Sequence, residues 1–411
     1  MTAIQGMRDT MNFATNERPE NWRQMIAYLY PNGKTPLTAL TGAMKESSTD
    51  DPVFHWWEKS LDDRRLALGQ NLAASAAGTV ETWTLAAGSN ALTFVQNDNL
   101  LIEESDEQVR VYADPTSNTT ITVVRGANGT TPAAVTYAGA GVNPNVMAIG
   151  SAFEEGSLPP TGANYDPNER YNYTQIFRRT SEITGTASKT KLRTVPAVKE
   201  ARRELLEYFG VDMERAFWLG VRSTGTLNGK PRRTTAGLYN QMSASNIYQF
   251  VGGAVDMDTL ETRMEIIFRE GSNEKVVFCG NKALSAINTA VRKNSAYQWT
   301  TGEKVFGMTV NKLVCPHGTL IFKTHPLFTQ ASGGTTGGTA YYAMNTWAFI
   351  VDMAEVEYRY MKERDVQYEG DLQAVGQDGL KFGYKGECGI ELHHPTVHHL
   401  WQQVDHGVED I

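Results

Sequence analysis

The chain has 411 residues, 41% of them hydrophobic, enough to bury a sizeable core divided over two or three domains. Its 38 basic and 46 acidic side chains leave a formal net charge of -8, which argues against a protein that grips nucleic acid by its phosphates, since that needs clustered Lys and Arg. No run reaches the ~20 apolar residues of a membrane span, and the N-terminus MTAIQGMRDTMNF lacks the apolar core of a secretory signal.

Residues 1–50 mix short apolar clusters (Trp22, Met25, Ile26, Leu29) with the turn Pro31-Asn32-Gly33 and show no sustained period, which predicts an N-terminal arm. Residues 51–74 open a hairpin with the aromatic strand PVFHWWEKS (52–60), whose partner lies more than a hundred residues later. The gap predicts an inserted β module over 75–155. Short strands are expected at Thr82–Leu85, Ala91–Val95, Leu100–Glu103, Gln108–Tyr112 and Thr119–Val124, with turns at Gly88-Ser89-Asn90, Asp114-Pro115 and Asn128-Gly129. A small antiparallel barrel or sandwich follows.

The hairpin returns over 156–190. Tyr171 to Ala187 is free of proline and rich in β-branched and aromatic residues, and as one strand would span ~50 Å. Such a polar ribbon needs its edges covered, and another copy is the expected cover. Residues 191–250 begin with a long helix: Thr194 can cap it, Pro196 sits in its first turn, and Val198, Ala201, Leu205, Phe209, Met213, Ala216 and Phe217 recur at helical spacing. Over 251–345 the pattern is mixed α/β. Asp258 and Glu261 suggest a capping box for a helix with Leu260, Met264, Ile267 and Phe268, followed by a strand Lys275–Cys279 and a helix through Leu284 and Ile287. Residues 346–411 return to strands, ending a run Tyr341–Val351, then Val356 to Tyr360 and Leu380–Leu392.

Several motifs invite chemistry and read more simply as structure. His393, His394, His398, His399 and His406 crowd the last twenty residues, but Pro395 breaks the helix that would align a zinc pair, and no H-E-x-x-H is present. Ser272 and Lys275 have S-x-x-K spacing before a strand rather than at a helix start. The glycines of Ser332–Gly338 do not join a strand to a helix, so they form a loop and not a phosphate cradle. Cys279, Cys315 and Cys388 are few and far apart, which gives no disulfide framework and fits a reducing cytosol, and Cys279 ends an apolar strand as a small hydrophobe.

The order of these parts resembles the tailed-phage major capsid proteins with the Hong Kong 97-type fold. The resemblance rests on Glu155-Gly156, Pro159-Pro160, Asn172 to Phe177 and Glu182 to Thr186, continued by Gly237-Leu238, His325 to Phe328, Asp352, Gly370-Asp371, Gly386-Glu387 and His394-Pro395. It implies an α+β, HK97-like fold with N-arm, E-loop hairpin (51–74 and 156–190), spine helix with P-domain (191–250), A-domain (251–345) and a final P-domain sheet (346–411). It further implies a non-catalytic shell subunit without cofactor or metal, forming pentamers and hexamers of an icosahedral virion shell built in the host bacterial cytoplasm. Such a shell encloses DNA without sequence-specific binding, beside portal and scaffolding proteins and a decoration protein, and a separate scaffold is expected rather than a cleaved N-terminal domain. Candidate intersubunit contacts are Trp56, Trp57, Lys59, Tyr173, Phe177, Arg178, Arg179 and Glu182. Some such shells crosslink through a hairpin Lys, but the sequence around Lys59 gives no support for this beyond the residue type. The alternatives are a nanocompartment shell around an enzyme, or a metal-dependent hydrolase using the C-terminal histidines.

Overall fold

The computed structural model describes residues 40, 42–61, 63–136, 144–192, 195–250, 255–293, 298–305, 308–330, 335–336, 339–340 and 344–405. The chain divides into two units: Trp57–Glu169, and Arg170–Ile411 together with the chain up to Trp56. Most of the expected arm, the cap Thr194, most of the Ser332–Gly338 loop, the start of the Tyr341 strand and His406 lie outside the described residues.

Strand β1 (Lys45–Thr49) precedes β2 (Val53–Glu58), with Asp51 Oδ1 accepting from Val53 N at 2.7 Å in the turn between them. In β2, buried Phe54, Trp56 and Glu58 alternate with outward His55 and Trp57, the period of a half-buried strand.

The Trp57–Glu169 unit holds β3 (Arg65–Ala67), β4 (Val80–Thr84), β5 (Asp98–Ile102), β6 (Gln108–Val111), β7 (Thr120–Val124) and β8 (Asn145–Ser151). Their order is β3-β8-β5-β6-β7-β4, and every pairing is antiparallel. The two ends meet: Leu68 bridges Leu85, Gly69 N donates to Thr84 O at 2.9 Å, and Ala86 N donates to Ala67 O at 2.8 Å. The sheet is therefore a closed barrel around Leu66, Trp83, Leu100, Val109, Ile121 and Val146, without the exposed edges of an open sheet. Two features differ from expectation. Ala91–Thr93 is a 3-10 turn capped by Asn90, whose side chain accepts from Leu92 N, instead of a strand. Strand β8 went unforeseen because only Val146 along it is fully buried, so it carries no clean alternation.

A charge sits inside this barrel unit. Arg125 is fully buried, and Nε and Nη2 each donate to Glu107 at 2.7 Å. Nη2 also reaches Ala133 O at 2.7 Å, while Nη1 reaches Ala73 O at 3.0 Å and Glu81 at 3.1 Å. All five guanidinium donors are engaged, the condition under which a buried cation is tolerated.

In the larger unit the expected single strand Tyr171–Ala187 is two strands and a helical turn: β9 (Asn168–Tyr173), β10 (Gln175–Thr184) and α1 (Gly185–Lys189). Asn172 explains the break. Its buried side chain donates to Ile390 O at 2.7 Å and Ala236 O at 3.1 Å and accepts from Ala236 N at 2.9 Å, turning the chain inward before Thr174 N bonds Pro52 O at 2.9 Å. Thr184 ends the strand because its hydroxyl accepts from Ala187 N, a helix N-cap. Helix α2 (Ala197–Leu219) then runs 23 residues, about 35 Å. It starts after Pro196 and buries Leu205, Phe209, Met213, Phe217 and Trp218, close to the expected face. Arg203 on its outer side bonds Glu207 at 2.6 Å and Glu200 at 2.7 Å.

After α2 come the hairpin β11 (Ser223–Leu227) and β12 (Lys230–Thr234), α3 (Leu238–Gln241) and β13 (Ile247–Gln249). Helix α4 (Met257–Ile267) is capped by Asp256, which accepts from Thr259 N at 2.7 Å, two residues before the expected capping box. The remainder is β14 (Glu274–Cys279), α5 (Asn281–Lys293), β15 (Gln298–Val305), β16 (Met308–Cys315), β17 (Gly318–Thr324), α6 (Pro326–Gln330) and a short ladder of β18 (Thr335–Thr336) with β19 (Thr339–Ala340). Last come β20 (Ala348–Val351), β21 (Val356–Met361), β22 (Gln367–Glu369), β23 (Gly379–Leu392) and β24 (His399–Gln402).

Two sheets result. One has the order β1-β21-β23-β10, with β22 also on β23. The other is the seven-stranded β13-β24-β20-β14-β17-β16-β15. Strand β10 pairs with β23 from Gln175 opposite Cys388 to Thr184 opposite Gly379, so one edge of the polar ribbon is covered from within the chain. A core of Phe177, Phe209, Phe217, Trp218, Phe349 and Ile390 lies under α2, and a second, with Leu260, Ile287 and Phe322, lies against α4 and α5. All three cysteines are buried, and burial pushes the thiols of Cys279 and Cys388 up to about 12.

Candidate assembly surface

The eight residues expected at subunit contacts occupy different environments. Trp57 is 64% exposed at the outward face of β2, whereas its neighbour Trp56 is buried beside Phe54 and the His393 ring. Lys59 is exposed and donates to Tyr165 O at 2.7 Å. Tyr173 is half-buried, edge-on to Tyr171. Phe177 belongs to the core, where its ring meets Phe209 and Phe217. Arg178 pairs with Glu369 at 2.8 Å, Arg179 clasps Asp212 of α2 and lies over the Tyr208 ring, and Glu182 pairs with Lys381. The structure thus gives Arg178, Arg179 and Glu182 of β10 partners within their own chain, and among the eight residues Trp57 is the aromatic side chain left mostly exposed.

The family model for SU10 major capsid protein matches residues 5–404. The chain belongs to this family. It is also similar to the major capsid protein of Pseudomonas phage PaMx41, with 28% identity over 364 residues, covering 85% of this chain and 80% of that protein. Among solved structures it is similar to the capsid of the native GTA particle, with TM-score 0.45 and 9% identity over 94% of each chain. A structure titled Mycobacterium phage Bobi has TM-score 0.44 and 10% identity, covering 94% of this chain and 95% of that one. The holo-SrpI encapsulin complex of Synechococcus elongatus PCC 7942 has TM-score 0.41 and 11% identity, covering 58% and 76%.

Membership makes the chain a structural protein of a phage shell. Family membership favours the phage shell over a nanocompartment. No helix among the described residues is long and apolar enough to cross a membrane.

The motifs that invited chemistry in this capsid protein are occupied by structural work. Lys275 is fully buried, and its Nζ donates to Ile267 O at 2.7 Å, Glu270 O at 2.8 Å and Val397 O at 2.9 Å; burial depresses its pKa to about 8. Ser272 Oγ donates to Glu274 O at 2.7 Å, so the S-x-x-K pair forms no nucleophile and base. Beside it, burial raises the Asp352 carboxyl, but hydrogen bonds from Ser272 and Ala354 N–H outweigh this and hold it below the usual range. Among the described residues no three His, Cys, Asp or Glu side chains converge to hold a metal.

The four described terminal histidines, His393, His394, His398 and His399, are buried or half-buried within the fold. Nδ1 of fully buried His398 accepts from Asp352 N at 3.3 Å, and Nε2 donates to His393 O at 3.1 Å, an arrangement that needs a neutral ring. Burial depresses His398 to about 3 and His399 to about 4. Both folded values lie below the unfolded value of about 6.5, so their contribution is complete above that pH and is lost as pH falls through about 4 and then about 3. The melting temperature should therefore drop between pH 6.5 and 4.5. His398→Asn, which keeps one donor and one acceptor but cannot titrate, should flatten that slope; an unchanged slope would exclude His398 as its source. The partly exposed His393 has the opposite sign. Glu391, 2.9 Å away, raises its pKa, so this contact contributes below about 6.5 and fades as pH rises.

Sequence reasoning passed over Glu214. It is fully buried on α2, and its Oε1 accepts from Leu40 N at 2.7 Å, His325 Nε2 at 3.0 Å and Trp218 Nε1 at 3.3 Å. The signal was present as a lone carboxylate between Met213 and Phe217 on an apolar helix face.

Proposed function

We propose that copies of this chain assemble as pentamers and hexamers into an icosahedral shell in the host bacterial cytoplasm. The shell encloses phage DNA without reading its sequence, and the subunit works without catalysis or a cofactor. The family match across residues 5–404 carries this reading. The net charge of -8 supports it, because an acidic chain holds packaged DNA loosely. Portal and scaffolding proteins complete assembly, and a decoration protein is a further partner. The subunit contacts draw on the hairpin strands, with Trp57 central, since exposed aromatic residues become anchors once a partner excludes water.

Electron microscopy of the protein expressed alone and with its neighbouring genes should show closed shells of uniform diameter. A monodisperse small oligomer under both conditions would overturn the reading. Trp57→Ala should lower the yield of closed shells several-fold while leaving the subunit's melting temperature within a degree or two. Full yield of Trp57→Ala shells would remove Trp57 from the contact.

A further inference from the structure

From Arg215 to Val255 the chain has no Asp or Glu, yet it carries Arg215, Arg222, Lys230, Arg232 and Arg233. That is a local excess of five positive charges on a chain whose net charge is -8. Three of them stand on β12, paired to β11 with Lys230 opposite Leu227 and Arg233 opposite Thr224. Lys230 and Arg232 are exposed and Arg233 is half-buried, and none of the three has an ion pair or hydrogen-bonded side-chain partner among the described residues. Arg222 is already committed, donating to Tyr171 O at 2.7 Å.

This hairpin and the first residues of β10 border a cleft of ≈ 300 Å³. Arg232 and Arg233 line it together with the apolar Ile176, Leu227 and Pro231. Ile176 is 56% and Leu227 57% exposed, so the cleft offers uncovered apolar surface beside unpaired cations. Glu387 also lines it, with its charge met by Arg364 at 2.7 Å. Apolar walls beside cations suit an acidic peptide with hydrophobic side chains better than a phosphate chain, which has no apolar group to place there.

The barrel unit presents such a peptide. Residues 152–161 read AFEEGSLPPT and are exposed throughout. Ala152 N donates to Asn97 O at 3.1 Å at one end, and Thr161 Oγ1 donates to Asp114 at 2.8 Å at the other. Between these ties a turn closes from Ser157 N to Glu154 O at 3.2 Å, with Gly156 at φ +80. Glu154 and Glu155 have no ion pair among the described residues, and Leu158 is 86% exposed just before Pro159-Pro160. Held at both ends and stiffened by two prolines, the segment loses little entropy on docking.

We propose that the cleft beside β11 and β12 receives the strap around Glu154, Glu155 and Leu158 of a second copy of this chain, with the carboxylates on Arg232 and Arg233 and Leu158 against Ile176 and Leu227. This rests on the shell reading, in which neighbouring copies are held at high effective concentration.

Charge reversal tests it in the full chain. R232E/R233E and, separately, E154R/E155R should each lower the yield of closed shells about tenfold or more, and the four changes together should restore most of it. L158S should lower the yield with no change of charge. Melting temperatures of the unassembled variants report folding, and all the altered side chains are exposed or half-buried. Unaltered yield from either reversal, or reversals that lower yield without mutual rescue, would overturn the docking while wild-type shells still form. Intact shells of R232E/R233E holding less DNA would overturn it in favour of a phosphate contact. Wild-type protein that never closes would refute the shell reading and this proposal together.

Discussion

Arg125→Met should destabilise the barrel unit by about 3–5 kcal/mol, because it strips the partner from a carboxylate sealed in the interior. Glu107 is fully buried, and both its oxygens accept from Arg125 at 2.7 Å. Its remaining acceptor capacity goes to Gly126 N at 3.0 Å and Ala133 N at 3.2 Å, so it has no route to water. Hydrogen exchange in the full-length protein localises the effect: amides of β4 to β7 should exchange far faster, while those of α2 and β23 stay protected. Removing both charges, as Arg125→Met with Glu107→Leu, should cost less than Arg125→Met alone, since no unpaired ion remains. Barrel amides as protected in Arg125→Met as in the wild type would show that the ion pair does not hold the barrel.

A comparable loss is expected at Glu214→Ala. The carboxylate joins helix α2 to Leu40 at the start of the described chain and to His325 after β17, and Trp218 Nε1 completes the set. Each donor left buried without an acceptor costs about 1–3 kcal/mol, so the chemical unfolding midpoint should fall substantially. Glu214→Gln keeps an amide oxygen in the same place and should lose less. Limited proteolysis should cut Glu214→Ala sooner than the wild type ahead of Lys45, where the chain has lost its tie to the helix. Equal midpoints and equal cleavage would leave Glu214 without a structural role.

Local patterns carried the parts of the fold that depend on neighbours in sequence. The spacing of Leu205, Phe209, Met213 and Phe217 located α2, and alternation in Val356, Tyr358 and Tyr360 located β21. Pairing over long separations was not legible. Nothing near Tyr171 says that Asn172 will reach Ile390, or that β10 will lie against β23 two hundred residues later, because those choices are made by the assembled sheet. The ribbon therefore read as one strand awaiting another chain, while the protein itself covers one edge. The capping of α4 shows a smaller limit: Asp256 and Asp258 both precede the same apolar face, and only the backbone course decides which side chain meets Thr259 N. The candidate surface was legible by residue type but not by exposure, since Trp56 and Trp57 are adjacent letters on opposite faces of β2. Buried charges gave the clearest unread signal. Arg125, Glu214 and Lys275 each interrupt an apolar setting, and each proves to be a fastening point.

The burial of all three cysteines makes the folded subunit chemically quiet toward thiol reagents. Thiolate is the reacting species, and burial pushes the Cys279 and Cys388 thiols up to about 12, so both are held as neutral thiols at neutral pH. A cysteine placed at an open position outside the proposed contacts, such as Val375, would be the reactive thiol of each subunit, so a maleimide dye would mark one defined point per copy.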